Sequence, residues 1–541
     1  MRNIFLVLVT IATVFLLVLP TALNAVVISS QEKDTIVILT PHWSGIRKVA
    51  EADFKEWYRK RTGRDIEIEW EYHDTVECLR LVREAGGEPG KVKWDVWWGG
   101  GLDAFMIAEE EEDLLEPFYL PDDPEWIEIN KSIPAKLFGL PLKDMTPEHG
   151  KYCWWGTALS GFGIMYNKKY LERYDLPVPS DWLDLAKPLY RGHLTMTPPS
   201  KSGSNHMIVE IILQYYGWER GWEILISMGR NMKKFTEKSY EVPPLVAKGE
   251  VGIAPVIDFY AFGQIAAHGP EVIGFHYPPA EAVVKHTIIN PDSAAILKNA
   301  PHKKEAIMFM KFLLSIDGQK MLFKDPINRL PVRPDVYVYA PPGYFNPFTT
   351  ELTLITYDDE KGSARWEVVN DLYDILIVYR HAELIEAFDA IESARAKIDE
   401  YRREGIATLP LELALDTLYR ELVEVPVSEE WAVIYGPEYA RNSTLQAKLR
   451  AEWDSYAKEK YARIKSQVAE LIKAYDDMIA LKKKMSEYEN EIARLREDIA
   501  SLEEQLRAGP PIQPIMMAIP LIVGLVIGLA LGFVIGARRR S

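Results

Sequence analysis

Residues 197–205 read Thr-Pro-Pro-Ser-Lys-Ser-Gly-Ser-Asn. Hydroxyls at Ser200, Ser202 and Ser204, the flexible Gly203, Asn205 and the N–H groups of the helix that follows are the parts of an anion cradle. The same residues suit a plain N-cap in a serine-rich loop, and residue types alone leave both readings open. Two further segments have related chemistry. Gly99-Gly100-Gly101-Leu102-Asp103 presents backbone amides with no side chain in the way, and His42-Trp43-Ser44-Gly45 presents an imidazole and an indole. Trp43, Trp97, Trp98, Trp154 and Trp155 supply rings that either stack on a ligand or fill a core.

Each polar segment falls where a strand should end. Apolar runs at 35–40, 66–72, 94–98 and 193–196 have strand character, and 46–62 and 76–85 have helical periodicity. Strand alternating with helix predicts an α/β domain with a parallel sheet covered on both faces. In such sheets ligands sit beyond the carboxyl ends of the strands, at helix N-termini.

The ordered series WDVWWGGGLDAF, LLEPF, GFGIMYNKKYLERYDLPVPSDWLDL, TPPSKSGSN, KGEVGIAPVIDFYAF and SIDGQKMLF…INRLPVRPDV, spread over residues 35–340, resembles the extracellular solute-binding proteins of ABC importers. The similarity is to the two-lobed type 2 periplasmic-binding-protein fold, in the cluster serving ferric iron, thiamine, phosphonates and phosphorylated sugars. That resemblance implies a head at 33–345, with lobe one at 35–145 and 270–345 and lobe two at 150–265. It implies a cleft lined by His42 and Trp43, by Gly99, Gly100 and Gly101, by Ser200, Ser202, Gly203, Ser204 and Asn205, and by Asp258 and Tyr260. Ferric members use two adjacent tyrosines at the last segment. Here the pair is Phe259-Tyr260, which removes one oxygen donor and turns the expectation to an organic anion or zwitterion such as a phosphonate, sugar phosphate or thiamine-like compound. Asp258 would meet a ligand amine or hydroxyl. The implied partner is an ABC permease, with no cofactor, metal or catalytic residue.

Outside the head, 346–440 reads as a helical extension. From 464 to 506 apolar positions alternate at three and four residues, and no proline or glycine interrupts 443–508, which predicts a coiled-coil-like stalk or a helix folded back on the head. Residues 515–537 carry no charge and precede three arginines, and residues 1–25 resemble a signal peptide, so the expected location is a single-pass cell membrane protein with an extracellular head and a short cytoplasmic C-terminus. Gly524, Gly528, Gly532 and Gly536 share one face of that span, which with the stalk admits a homodimer. The formal charge of −16 without a basic run argues against nucleic acid. No GxSxG, HExxH or phosphate-loop motif supports an enzyme. The alternative to a transport protein is a tethered sensor or scaffold, and less favoured a tethered hydrolase.

Overall fold

In the computed structural model, which describes residues 33–118, 120–144, 152–509 and 523–524, the head is organised around one fourteen-residue strand. The strands of the main sheet are β1 Asp34–Thr40, β2 Ile66–Tyr72, β3 Val96–Trp98, β4 Trp154–Asn167, β5 Leu194–Met196, β6 Met232–Phe235, β7 Ile253–Ile257, β8 Ile273–His276 and β9 Ile289–Ile296. Their order is β2-β1-β3-β9-β4-β7-β5-β6, with β8 also paired to β4. The first half of β4 pairs with β9 as far as Gly161, and the second half pairs with β7 from Phe162 onward. One strand thus runs through both halves and forms the seam between two lobes. The chain returns to the first lobe at Ile289 rather than near 270, because β8 still pairs with the second half of β4.

The expected wholly parallel sheet is corrected to a mixed one. β1 pairs in parallel with β2 and β3, and β5 with β6 and β7. The pairs that join the two halves, β3/β9, β9/β4 and β4/β7, are antiparallel. Ile36, Ile38, Phe54, Trp57, Trp98, Trp155, Phe309 and Phe312 pack into the first-lobe core. Trp97, Trp98, Trp154 and Trp155 are all at most 2% exposed, so these rings serve packing of the first lobe.

The extension folds as helices Trp366–Tyr373, His381–Arg403, Leu409–Val423 and Glu429–Arg441, with a wide turn at Asp374–Val378. It grips both lobes. On the first, the Tyr357 hydroxyl donates to Asp103 at 2.6 Å and Arg83 pairs with Glu367 at 3.1 Å. On the second, Arg365 donates to Glu210 at 2.7 Å with both side chains fully buried, and His206 meets Asn370 at 2.8 Å. The long helix runs without a break over Ser443–Ala508. Its first part, to Ser466, is docked rather than free-standing: Trp453, Ala457, Tyr461 and Ile464 are buried, and the Tyr461 hydroxyl donates to the carbonyl of Leu376 at 2.6 Å. Gln467 onward is a separate unit.

Among the described residues no helix is long and apolar enough to cross a membrane. The expected single-pass membrane location is corrected accordingly. The segment behind it, 515–537, lies outside the described residues apart from 523–524, as does the expected signal peptide.

Candidate functional site

A narrow cleft lies where the loops after β1, β3 and β5 converge on the middle of β4. Its first-lobe wall carries His42, Tyr72, Asp74, Thr75, Gly100, Gly101 and Arg329, and its second-lobe wall carries Ser202, Gly203, Ser204, Lys238, Ser239 and Tyr260. Ser160 and Phe162 of β4, with Asn290 and Asp292 of β9, form the floor at the seam.

The first-lobe wall is held by a buried triad. Arg329 Nη1 bonds both Asp292 Oδ2 and His42 Nε2, the latter at 2.8 Å, and Nη2 donates to Ser160 Oγ at 2.9 Å. The guanidinium also lies over the Phe259 ring, 4.6 Å from its centroid. The proton on His42 follows from its neighbours. Thr40 gives its hydroxyl proton to the Trp98 carbonyl at 2.6 Å, so its oxygen accepts from His42 Nδ1 at 3.1 Å. His42 therefore carries its hydrogen on Nδ1 and turns the Nε2 lone pair to Arg329. Burial lowers its pKa and outweighs the pull of Asp292. For Asp292 burial works the other way, yet Arg329 and the Gly100 amide, which donates at 2.6 Å, keep its carboxyl below the usual range.

The glycines are required by this arrangement. Gly99 and Gly100 sit at φ +105 and +134, and a Cβ on Gly99 would lie 2.6 Å from the His42 ring. Only glycine takes such angles without strain.

On the second-lobe wall Ser202 caps the helix Gly203–Tyr216, accepting from the Asn205 amide at 3.3 Å and touching the Ser204 hydroxyl at 3.1 Å. The first N–H groups of a helix have no partner within it, and those of Gly203 and Ser204 belong to residues that line the cleft. The two walls meet: a Cβ on Gly203 would stand 2.9 Å from Thr75, and Lys238 Nζ reaches Asp74 at 3.2 Å. Tyr260 contributes a phenol whose pKa burial pushes up to about 12.

Seven of the expected residues line this cleft: His42, Gly100, Gly101, Ser202, Gly203, Ser204 and Tyr260. Five do not. Trp43 packs against the first-lobe core, and Gly99 makes room for His42. Ser200 is absent from the cleft lining and its hydroxyl is buried, and the Asn205 side chain donates to the Thr197 carbonyl at 2.8 Å. Asp258 is a brace rather than a ligand group: it accepts from the Gly161 amide and the Tyr277 hydroxyl, each at 2.7 Å, and from the Phe259 amide. Burial raises its pKa to about 6. The residue types did not mark Arg329, Asp292, Asn290, Lys238 or Tyr72. Arg329 stood inside the INRLPVRPDV segment beside a second arginine, Arg333, and nothing in the residue types told the two apart.

For a metal, the cleft offers His42, Asp292, Tyr72 and Tyr260, but the position beside Tyr260 is Phe259, whose ring faces Arg329. Glu109, Asp144 and Cys153 bring their ligating atoms within 4.8 Å of one another elsewhere.

Residues 124–358 match the family model described as bacterial extracellular solute-binding protein. A phosphoglycerate transport regulatory protein of Salmonella typhimurium is 32% identical over 247 residues, which is 45% of this chain and 58% of that protein's own length. Iron uptake protein A2 of Synechocystis is 22% identical over 265 residues, 48% of this chain and 69% of that protein. Among solved structures, the periplasmic binding protein AfuA of Actinobacillus pleuropneumoniae, with fructose-6-phosphate bound, has a TM-score of 0.53 at 19% identity, covering 64% of this chain and 99% of that one. The periplasmic binding protein P5PA has a TM-score of 0.52 at 18% identity, covering 63% and 98%. Over residues 124–358 the chain thus carries the sequence pattern of bacterial extracellular solute-binding proteins, and its head has the type 2 periplasmic-binding-protein fold.

Proposed function

We propose that the chain captures a small organic anion, foremost a phosphorylated or phosphonate compound, between its lobes and delivers it unchanged to an ABC permease. The observation that carries this reading is the N-terminus of the helix Gly203–Tyr216, which opens on the cleft beside Lys238 and opposite Gly101 and Arg329. A helix N-terminus, two hydroxyls and a lysine favour negative charge. The name of the Salmonella relative, a phosphoglycerate transport regulatory protein, supports a phosphorylated ligand. The same name supports a second reading, in which ligand capture is reported onward rather than feeding a permease.

The test is calorimetric titration of the full chain with phosphoglycerate, fructose-6-phosphate, a phosphonate, thiamine and ferric ion. Binding of a phosphate or phosphonate that weakens about tenfold or more in Ser204→Ala and Lys238→Met supports the reading, since a hydrogen bond to a charged group contributes about 1.5–3 kcal/mol. Unchanged affinity in both variants removes the anion assignment. Binding of ferric ion alone would move the site to Tyr260 and Tyr72.

A further inference from the structure

From Gln467, where the second unit begins, to Ala508 the chain is an unbroken helix with an apolar stripe that stays exposed among the described residues. Leu481, Tyr488, Leu495, Leu502 and Leu506 are between 45% and 57% exposed. The stripe has heptad order. Met478, Met485, Ile492, Ile499 and Leu506 take one core position, and Leu481, Tyr488, Leu495 and Leu502 take the other. In the last two heptads the pattern becomes isoleucine at the first position and leucine at the second, the combination that favours two parallel strands.

The flanking charges select the same arrangement. In a parallel, in-register pair, a residue just before the first core position faces the one five places on in the other chain. Those facing pairs are Asp477 with Lys482, Lys484 with Glu489, and Glu491 with Arg496 of the second chain, three successive opposite charges. Asp498 with Glu503 is like-charged and closes the series beside Ile499 and Leu502. Among the described residues, none of the six attractive partners forms an ion pair within its own chain.

We infer that residues 478–506 pair with the same residues of a second copy as a parallel, in-register two-stranded coiled coil. The occupant of the stripe is another copy of this chain, because the charges that flank it complement themselves when the helices run side by side in the same direction. This does not depend on which ligand the head takes.

The experiment is oxidative cross-linking of the full chain in a mild non-ionic detergent, with Cys78 and Cys153 retained so that the unsubstituted chain is the blank. Leu495→Cys and Leu502→Cys should each give at least tenfold more covalent dimer than Glu497→Cys, which lies on the opposite face, and than the blank. In a mixture of Leu481→Cys and Leu502→Cys chains, cross-links should join like positions only. The two sites are about 32 Å apart along a helix rising ~1.5 Å per residue. Glu491→Arg or Arg496→Glu alone should cut cross-linking, and the two together should restore it. Equal cross-linking at positions 495 and 497 overturns the proposal. Dimers joining position 481 to 502 overturn the orientation, and indifference to the single charge reversals overturns the charge pairing.

Discussion

Replacing Arg329 with methionine removes the cation that stands between His42 and Asp292. Its immediate effect is the break-up of a buried ion pair, since Arg329 is 3% exposed. Taking one partner from such a pair costs about 3–5 kcal/mol because the other charge stays buried and uncompensated. The structure adds a pH signature. In the native chain His42 is held neutral, its pKa lowered by burial. As pH falls below the unfolded value near 6.5, the unfolded chain takes up a proton that the folded chain refuses, and stability drops by about 1.4 kcal/mol per pH unit. Without Arg329, the bare Nε2 of His42 faces the Asp292 carboxylate at 2.9 Å. A proton there is now favourable, so the folded pKa rises above the unfolded one. The variant then holds stability below pH 6.5 that it loses as pH rises. The native chain loses stability below pH 6.5 and the variant loses it above, so the deficit of Arg329→Met is largest near pH 8 and narrows toward pH 5. Denaturant titrations of both chains at pH 5, 6.5 and 8, followed by tryptophan fluorescence, measure it. A His42→Gln background should abolish the narrowing. A deficit that stays constant, or grows toward pH 5, would refute the assigned proton position.

The buried pair that docks the extension behaves differently. Arg365→Met should cost about 3–5 kcal/mol, and adding Glu210→Gln should recover most of that, because both charges then leave together; additive losses would contradict it. Gly100→Ala forces a side chain onto φ +134 and against Thr75, 2.9 Å from the new Cβ, so the thermal midpoint should fall by the equivalent of about 1–3 kcal/mol. An unchanged midpoint would count against the backbone described for the glycine turn. Asp374 has its pKa raised to about 6, first by burial. The folded chain keeps this proton after the unfolded chain has lost it, so its contribution weakens as pH rises from about 4 to 6. The stability of Asp374→Asn relative to the native chain should therefore climb by roughly 2–3 kcal/mol across that window, and a flat difference would show the carboxyl to be ionised throughout.

Local chemistry was legible in the sequence and distant pairing was not. The strands after Lys33, the glycine turn and the helix start at Ser202 each depend on neighbours within a few residues. Capping, turn geometry and hydrophobic period mark them directly. The triad at the cleft is different in kind. His42 and Arg329 are 287 positions apart, and Asp292 sits on a strand whose antiparallel placement beside β3 no local pattern reveals. Asp258 illustrates the converse. Its residue type suggested a ligand group, but a buried carboxylate at a helix start can equally brace backbone amides, and only the positions of Gly161 and Tyr277 decide between the two. For the long helix, the stretch without proline or glycine matches the helix Ser443–Ala508, yet the part before Ser466 spends its apolar face on the extension. Trp453 and Tyr461 have the same residue chemistry whether the helix stands free or docks.

The grip of the extension on both lobes changes what kind of machine the head is. A two-lobed protein whose halves share only a hinge opens at the expense of the contacts across its mouth. Here a third body is in parallel with that hinge, held on one side by a fully buried ion pair and on the other by Tyr357–Asp103 and the partly exposed Arg83–Glu367 pair. The first-lobe side is further held by Phe348, Leu352 and Leu354, which pack against its core, so the extension is anchored to both halves by buried contacts. Any relative movement of the lobes then has to strain or break contacts of this third body as well as those across the mouth. The helix up to Ser466 is docked on the extension through Trp453 and Tyr461, so it is tied to the same body that bridges the lobes.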